Sequence, residues 1–529
     1  MLGRIPRLLA IYAVLVVVTI GAFKAVPNGF IPTQDKQYLF GVALLPEGAS
    51  IDRTDAFVKQ MTDIALTTPG VKSVVAFPGL NGFHFTATPN TATLFIGLDP
   101  FDERSLSASD IAVALSMKFS QLKEGIGFAL RPPPVLGLGN AAGVEAFIQD
   151  RSNFGYGTLS NNAQAFAGQL RQTPGFDPYA VVSAFQSNVP QFTAIINREK
   201  AKQLGVPLTG VFDTLQVYMG SAYVNDFNLF GKTLGVYVQA DAPFRQTPED
   251  VLNLKTRNLE GQMVALGSVV RLEHSYGPDP VIRFNGYPAA DLTAGIDPSR
   301  LSSDQALAKV TEMSKQMLPR GMTLAWSGLT YQQTIQGNAA LWVFPVCVLL
   351  VFLVLAALYE SWSLPMAVIL IVPIALLAAM GAIFLINLVH GLSLAIVPPK
   401  GPPTFLDNNL FTQIGLLVLM GLSCKNAILI VEFARELESK GSDIVSAAIE
   451  ASRLRLRPIL MTSFAFIMGV VPLVFAQGAG AEVRTVMGVT VFFGMLGVTF
   501  FGLFLTPVFY VIIRRAASGL NIFTGRSRL

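Results

Sequence analysis

Six apolar runs, near residues 8–26, 339–359, 365–389, 410–434, 458–477 and 485–513, each approach or exceed the roughly 20 residues a helix needs to cross a hydrocarbon layer. Inside such a layer every backbone polar group must bond within its own segment, so the runs are expected to be membrane helices. The wider composition agrees: 52% hydrophobic and 14% charged residues over 529 is too apolar for a soluble domain of this size. Basic residues then set the orientation. Arg4 and Arg7 precede the first run, Arg435, Lys440, Arg453, Arg455 and Arg457 surround the link between the fourth and fifth, and Arg514, Arg515, Arg526 and Arg528 follow the sixth. These ends share one side, so the positive-inside rule places both termini in the cytoplasm and residues 27–338 outside. No small-x-small cleavage site follows the first run, which reads as an uncleaved anchor.

The outer segment reads as two similar β-α-β-β-α-β units of the ferredoxin-like kind. The first has strands at 38–45, 72–78, 91–98 and 126–131, a helix opened by Ser50 and a second helix at 107–123. The second begins at Val144 with a strand, a helix at 159–173 and a strand to about 185. It resumes with a strand at 280–285, a helix at 302–317 and a strand at 321–327, leaving 188–279 as an inserted subdomain. The fold class is therefore a six-helix membrane bundle carrying an α+β outer domain.

Several chemistries lose support. His84, His274 and His390 lack ligand spacing, Cys347 and Cys424 lie in apolar runs, and there is no C-x-x-C, P-loop or G-x-S-x-G elbow. No metal site, cofactor or catalytic constellation is expected, and no basic block interleaved with aromatics suggests nucleic acid. Any energy must come from an ion gradient or a partner.

Lys425 is the sharpest signal. It sits about 13 Å from the nearer end of its run, farther than a lysine stem comfortably snorkels. Glu432 is seven residues on and about 10.5 Å away along the same face, too far to pair. Intramembrane ionisable groups are functional by default, although a water-filled crevice or backbone carbonyls would also serve an ammonium. Arg455 and Thr462 lie two turns apart on one face of the next helix, whose start the sequence places at Arg457 and Pro458. They read either as a polar file or as an interfacial anchor and a hydroxyl bonded to its own helix. A proton relay would need a carboxylate facing Lys425, and apart from Glu432 no run supplies one well inside the membrane.

The stretches "GLSCKNAILIVEFA", "RLRLRPILMTSFAF", "LAALYESWSLP" and "SAYVNDF" resemble the resistance-nodulation-division multidrug efflux pumps. The resemblance runs through the whole chain but covers the C-terminal half of such a pump, its spans seven to twelve. It implies a proton-driven drug antiporter of the bacterial inner membrane and not an enzyme. It also implies a homotrimer that works with a periplasmic adaptor protein and an outer-membrane channel. On that basis residues 1–27 are the seventh span, 28–134 one porter subdomain, 135–187 with 280–330 the second, 188–279 a docking insertion, 338–515 the five remaining spans and 516–529 a cytoplasmic tail.

The resemblance assigns Lys425, Arg455 and Thr462 to a proton relay completed by span-four aspartates in a missing N-terminal half. It makes "FPGLNGFHFTATPNTATLF" a switch loop beside a drug pocket, with Phe77, Gly79, Gly82, Phe83, Phe85 and Phe95 as its residues and Phe128 as a cleft phenylalanine. Glycines permit a mobile backbone, and the aromatic rings suit varied hydrophobic drugs. Phe77 and Phe95, on strands, equally suit a core, whereas Phe83 and Phe85 in the loop favour function. The second cleft phenylalanine of the family is Leu130 here, with Arg131 and the prolines 132–134 following, and the loop 390–409 is longer than usual. A heavy-metal exporter is disfavoured because Met61, Met117, Met219, Met263, Met313, Met317 and Met322 are scattered and absent from the switch loop. A non-transporting half acting in assembly is the other alternative, and a carboxylate within reach of Lys425 separates the two.

Overall fold

The computed structural model describes residues 5–298, 300–336, 339–396 and 406–523. After the membrane helix α1 (Ile5–Ala25) come β1 (Tyr38–Leu44), α2 (Ile51–Leu66), β2 (Val71–Asn81), β3 (Thr86–Leu98), α3 (Ala108–Phe119) and β4 (Ile126–Leu130). The four strands form an antiparallel sheet in the order β2-β3-β1-β4, the ferredoxin-like arrangement. Period-two alternation makes it two-faced. Leu39, Ala43, Leu94 and Ile96 pack on Phe57, Met61, Ile111 and Leu115 of the helices, while Phe40, Val42, Phe95 and Phe128 take the opposite face. Ser107 starts α3 with a reciprocal capping box to Asp110.

The second unit opens with β5 (Val144–Asp150), α4 (Tyr156–Gln172) and β6 (Phe176–Val182). A separately compact unit, Gln186–Asp279, is inserted next. It holds β7 (Val189–Ile196), α5 (Arg198–Gln203), α6 (Leu208–Leu215), β8 (Ala222–Leu229), β9 (Lys232–Val238), α7 (Pro248–Asn253), β10 (Lys255–Arg257), β11 (Met263–Ala265) and β12 (Val270–Gly277). Val211, Leu266, Val269 and Val270 form its small core, and the β8–β9 hairpin is exposed along most of its length.

The second unit then resumes with β13 (Arg283–Phe284), β14 (Tyr287–Ile296), α8 (Ser303–Met317) and β15 (Met322–Trp326). Its main sheet runs β6-β14-β5-β15, the same order as the first unit, and the insertion occupies the position of the tight β2–β3 hairpin. The strand expected at 280–285 is corrected: β13 is a two-residue hairpin arm, and the third core strand is β14. Asn285 (φ 52°) and Gly286 (φ 83°) turn the chain between them, and Asn-Gly is a strong hairpin signal.

The membrane part comprises α9 (Gly328–Gln336), α10 (Ala339–Tyr359), α11 (Leu364–Ile369), α12 (Val372–Ile396), α13 (Leu410–Ser439), α14 (Ile444–Val474) and α15 (Ala481–Phe523). Among the described residues six helical stretches are long and apolar enough to cross a membrane, so the chain is a multi-pass membrane protein. The third span is broken between α11 and α12, where Pro373 supplies no N–H. The Ile374 N–H donates to Ile371 (3.1 Å) and leaves the Leu370 carbonyl spare, and the Tyr12 hydroxyl of α1 donates to it (2.8 Å), which pins α1 to the break. The Thr19 hydroxyl, bonded to Leu15 of its own helix (2.8 Å), also lies 3.3 Å from the Pro373 carbonyl. The expected helix start at Arg457 and Pro458 is also corrected. The helix begins at Ile444 under an Asp443 cap, and Pro458 lies inside it. Residues 397–405 of the long loop and 524–529 of the tail lie outside the described residues.

Candidate functional site

Helix α13 buries Ser423, Cys424, Asn426 and Ala427 against its neighbours and leaves Ile414, Val418, Gly421, Lys425 and Glu432 exposed. Those five positions trace one stripe of helical periodicity, with an ammonium in the middle of apolar neighbours. Among the described residues Lys425 has no hydrogen-bond or ion-pair partner. Arg455 reaches back from α14 and lays its guanidinium over the Phe433 ring of α13, 4.1 Å from the centroid, with its Nε buried and unbonded. Thr462 is exposed, and its hydroxyl donates to the Ile459 carbonyl of its own helix (3.1 Å). The three residues therefore share a helix pair without forming a connected hydrogen-bonded chain. A polar contact that the motif reading misses joins the same helices: Asn426 donates to Ser463 across the buried seam (3.2 Å). An amide and a hydroxyl inside consecutive apolar runs are the signal for it.

The outer aromatic residues divide differently from expectation. Phe77 and Phe95 stand edge to face at 5.8 Å on the outer sheet face, and Phe95 meets Phe40 (5.0 Å), which meets Tyr38 (5.6 Å). Both are exposed, so the core reading is corrected: α2 and α3 cover the other face of the sheet. Phe83 is 8% exposed and wedged among Val42, Phe128, Leu130, Ala141 and Val182, in the seam between the two β-α-β-β-α-β units. Phe85, two residues on, is 74% exposed with φ 53°. The loop itself is short, because β2 and β3 stay paired to Asn81 and Thr86. Gly79 sits at a bulge with φ 82°, and at Gly82 a Cβ would lie 2.5 Å from the Thr93 hydroxyl. Geometry thus requires both glycines.

Beneath this seam, where the outer units meet the membrane helices, a cavity of about 670 Å³ is lined by Ile31, Asp35, Arg104, Arg131, Leu406 and Glu482 among others. Arg104 pairs with Asp35 (2.7 Å), and the Asp35 backbone N–H donates to Glu482 (3.0 Å). Arg131 donates to the Thr33 hydroxyl and the Ile296 carbonyl, both at 3.0 Å. Burial lowers its pKa, opposed by Asp177, Asp297, Glu482 and Asp35. Lys36 holds the carbonyls of Pro133 (2.9 Å) and Pro134 (2.8 Å), fixing the proline run that follows Arg131. No cluster of three or more His, Cys, Asp or Glu that could hold a metal occurs among the described residues.

Residues 1–514 match the model of the AcrB/AcrD/AcrF family. The chain belongs to this family. Relatives of the AcrB/AcrD/AcrF type include the toluene efflux pump membrane transporter TtgB of Pseudomonas putida, 38% identical over 97% of this chain and 47% of its own length. The multidrug export protein AcrF of Escherichia coli is 35% identical over 98% of this chain and 48% of its own. The multidrug resistance protein MdtF of Escherichia coli is 34% identical over 96% and 47%. The chain spans about half the length of these curated relatives, and its membership of the resistance-nodulation-division transporters is consistent with its six membrane helices.

Proposed function

We propose that this chain forms the C-terminal half of a proton-driven transporter that exports hydrophobic and amphiphilic compounds from the periplasm or inner membrane. The observation that carries the proposal is the bare Lys425 on an exposed stripe of α13. An ammonium at that depth is costly against lipid, so the stripe requires a protein partner that supplies negative charge. Carboxylates from a second six-span half meet that need. When ionised they pair with Lys425; when protonated from the outer side they release it, and the freed helix pair moves against the rest of the bundle.

The aromatic face of Phe40, Phe77 and Phe95, with the seam around Phe83 and Phe128, offers binding without fixed hydrogen bonds and suits varied apolar cargo. The exposed β8–β9 hairpin, which carries Tyr223, Phe227, Phe230 and Tyr237, supports assembly as a homotrimer. The insertion is the docking layer for the outer-membrane channel and the periplasmic adaptor, and both termini are cytoplasmic.

The test uses de-energised cells that carry the chain together with a complementary six-span half, the adaptor and the outer-membrane channel, preloaded with a hydrophobic fluorescent dye. Dye transport should start when a proton gradient is imposed and stop when a protonophore collapses it. Transport that survives the protonophore would overturn the proton-driven reading.

A further inference from the structure

The turn at residues 82–85 closes the first unit's β2–β3 hairpin, yet much of what holds it comes from elsewhere. The Asn140 side chain donates to the Phe83 carbonyl (2.9 Å), and the Phe83 ring fills the seam against Val182 and Ala184. Beside it, His84 Nε2 lies 3.6 Å from Asp291 Oδ1 on β14 of the second unit. The two side chains are 12% and 8% exposed. Both facing atoms are buried, and neither has a hydrogen-bond partner. The other Asp291 oxygen is occupied, accepting from the Ala184 backbone N–H at 3.0 Å.

A separation of 3.6 Å is too long for a hydrogen bond and short enough for a strong ion-pair attraction. Two buried unpaired atoms facing one another are costly, and a charge on the imidazole offsets that cost through ion-pair attraction to Asp291. The second titratable group near this place is Glu145 on β5, which accepts from the Asn140 and Ala141 backbone N–H groups (2.6 and 2.9 Å). Burial raises the Glu145 pKa, and the charge of Asp291 adds to the rise. Asp291 thus faces the imidazole of this turn directly, and histidine is the side chain whose charge ordinarily changes between pH 5 and 8.

We propose that His84 is a positioning residue that works as a proton-operated latch. Protonated, it pairs with Asp291 and keeps Phe83 in the seam; neutral, it lets the turn lift and exposes the apolar wall of Val42, Phe128 and Val182. This goes beyond the transport reading and does not rest on it, because the latch acts within the outer units and involves no membrane residue.

Hydrogen exchange of the peptide covering 79–88, measured on the full chain in detergent and corrected for intrinsic pH dependence, reads the latch directly. Protection should be several-fold higher at pH 5.5 than at pH 7.5, because the imidazolium pairs with Asp291 only while the turn is seated. His84→Gln keeps a neutral donor and should abolish the pH dependence, as should Asp291→Asn. His84→Lys supplies a permanent cation and should hold high protection at both pH values. A pH-independent parent chain, or a pH response that persists in His84→Gln, would overturn the latch, and neither result bears on dye transport.

Discussion

The middle and the two ends of α13 treat charge in opposite ways. At its outer end, Asn409 is fully buried and caps the helix by accepting from the Phe411 and Thr412 backbone N–H groups (2.9 and 3.0 Å), while its amide donates to Asp407 (2.7 Å). At the inner end, Glu438 takes a bidentate pair from Arg514 on α15 (2.5 and 3.0 Å) and a hydroxyl from the buried Tyr510 (2.6 Å). Between them stands Lys425, exposed and without a partner among the described residues. The ends are satisfied within this chain, whereas the proposed function assigns the middle to an interface that this chain would supply from one side. One helix therefore carries charges satisfied within the fold beside one that is not, and the proposed function gives that one its role.

Lys425→Ala probes that division with the largest expected effect. In cells carrying the complete pump, drug resistance should fall to the level of cells without one. The melting behaviour of the chain alone should change by no more than about 0.5 kcal/mol, as for a surface substitution that leaves no partner stranded. A large loss of stability with resistance intact would invert the comparison and make Lys425 structural.

The outer end is sharpened by pH. Burial raises the Asp407 carboxyl from 3.8 to about 6, with Asp304 adding to the rise. A folded-state pKa above the unfolded one means that the proton favours the fold. The stabilisation is present in full below about pH 4 and is lost as pH rises through about 6. Asp407→Asn should melt like the parent near pH 4 and gain up to about 3 kcal/mol at pH 7. Equal melting profiles from pH 4 to 7 would show that Asp407 is already relieved of its burial.

Much of this is legible in the amino-acid sequence, for reasons that differ by element. The membrane helices announce themselves because length and apolarity decide the matter without reference to neighbours. The first unit follows from alternation, as in β1, where Leu39 and Ala43 face the helices. β14 is harder: "YPAADLTAGI" is rich in small residues, and its strand character comes from being buried between β5 and β6. The start of α14 is hidden because a proline resembles a beginning, although Asp443 is the true cap. Phe83 and Phe85 show the limit most clearly. They sit two apart in one turn, and their opposite burial is settled by Asn140, Val182 and Asp291, distant in sequence. Lys425 stands at the other extreme, since its depth in a span was readable and its lack of a partner was implied by the shortage of acids.

The inner end yields the smallest effects and the finest test. Glu438→Gln weakens a charge-assisted pair at a half-buried site and should cost about 1–3 kcal/mol. Tyr510→Phe removes one hydroxyl from a fully buried ring without opening a cavity, so about 1–2 kcal/mol is expected, the range for a hydrogen bond to a charged acceptor. The informative quantity is their coupling. If the hydroxyl acts through the carboxylate charge, Tyr510→Phe should cost about half as much or less in a Glu438→Gln background, a non-additivity that a double-mutant cycle resolves. Full additivity would mean that Tyr510 holds α15 by packing alone, and that the clamp is the Arg514 pair. Under either result, drug resistance should decline only in proportion to the amount of folded protein, because the charges at this end are already spent on one another.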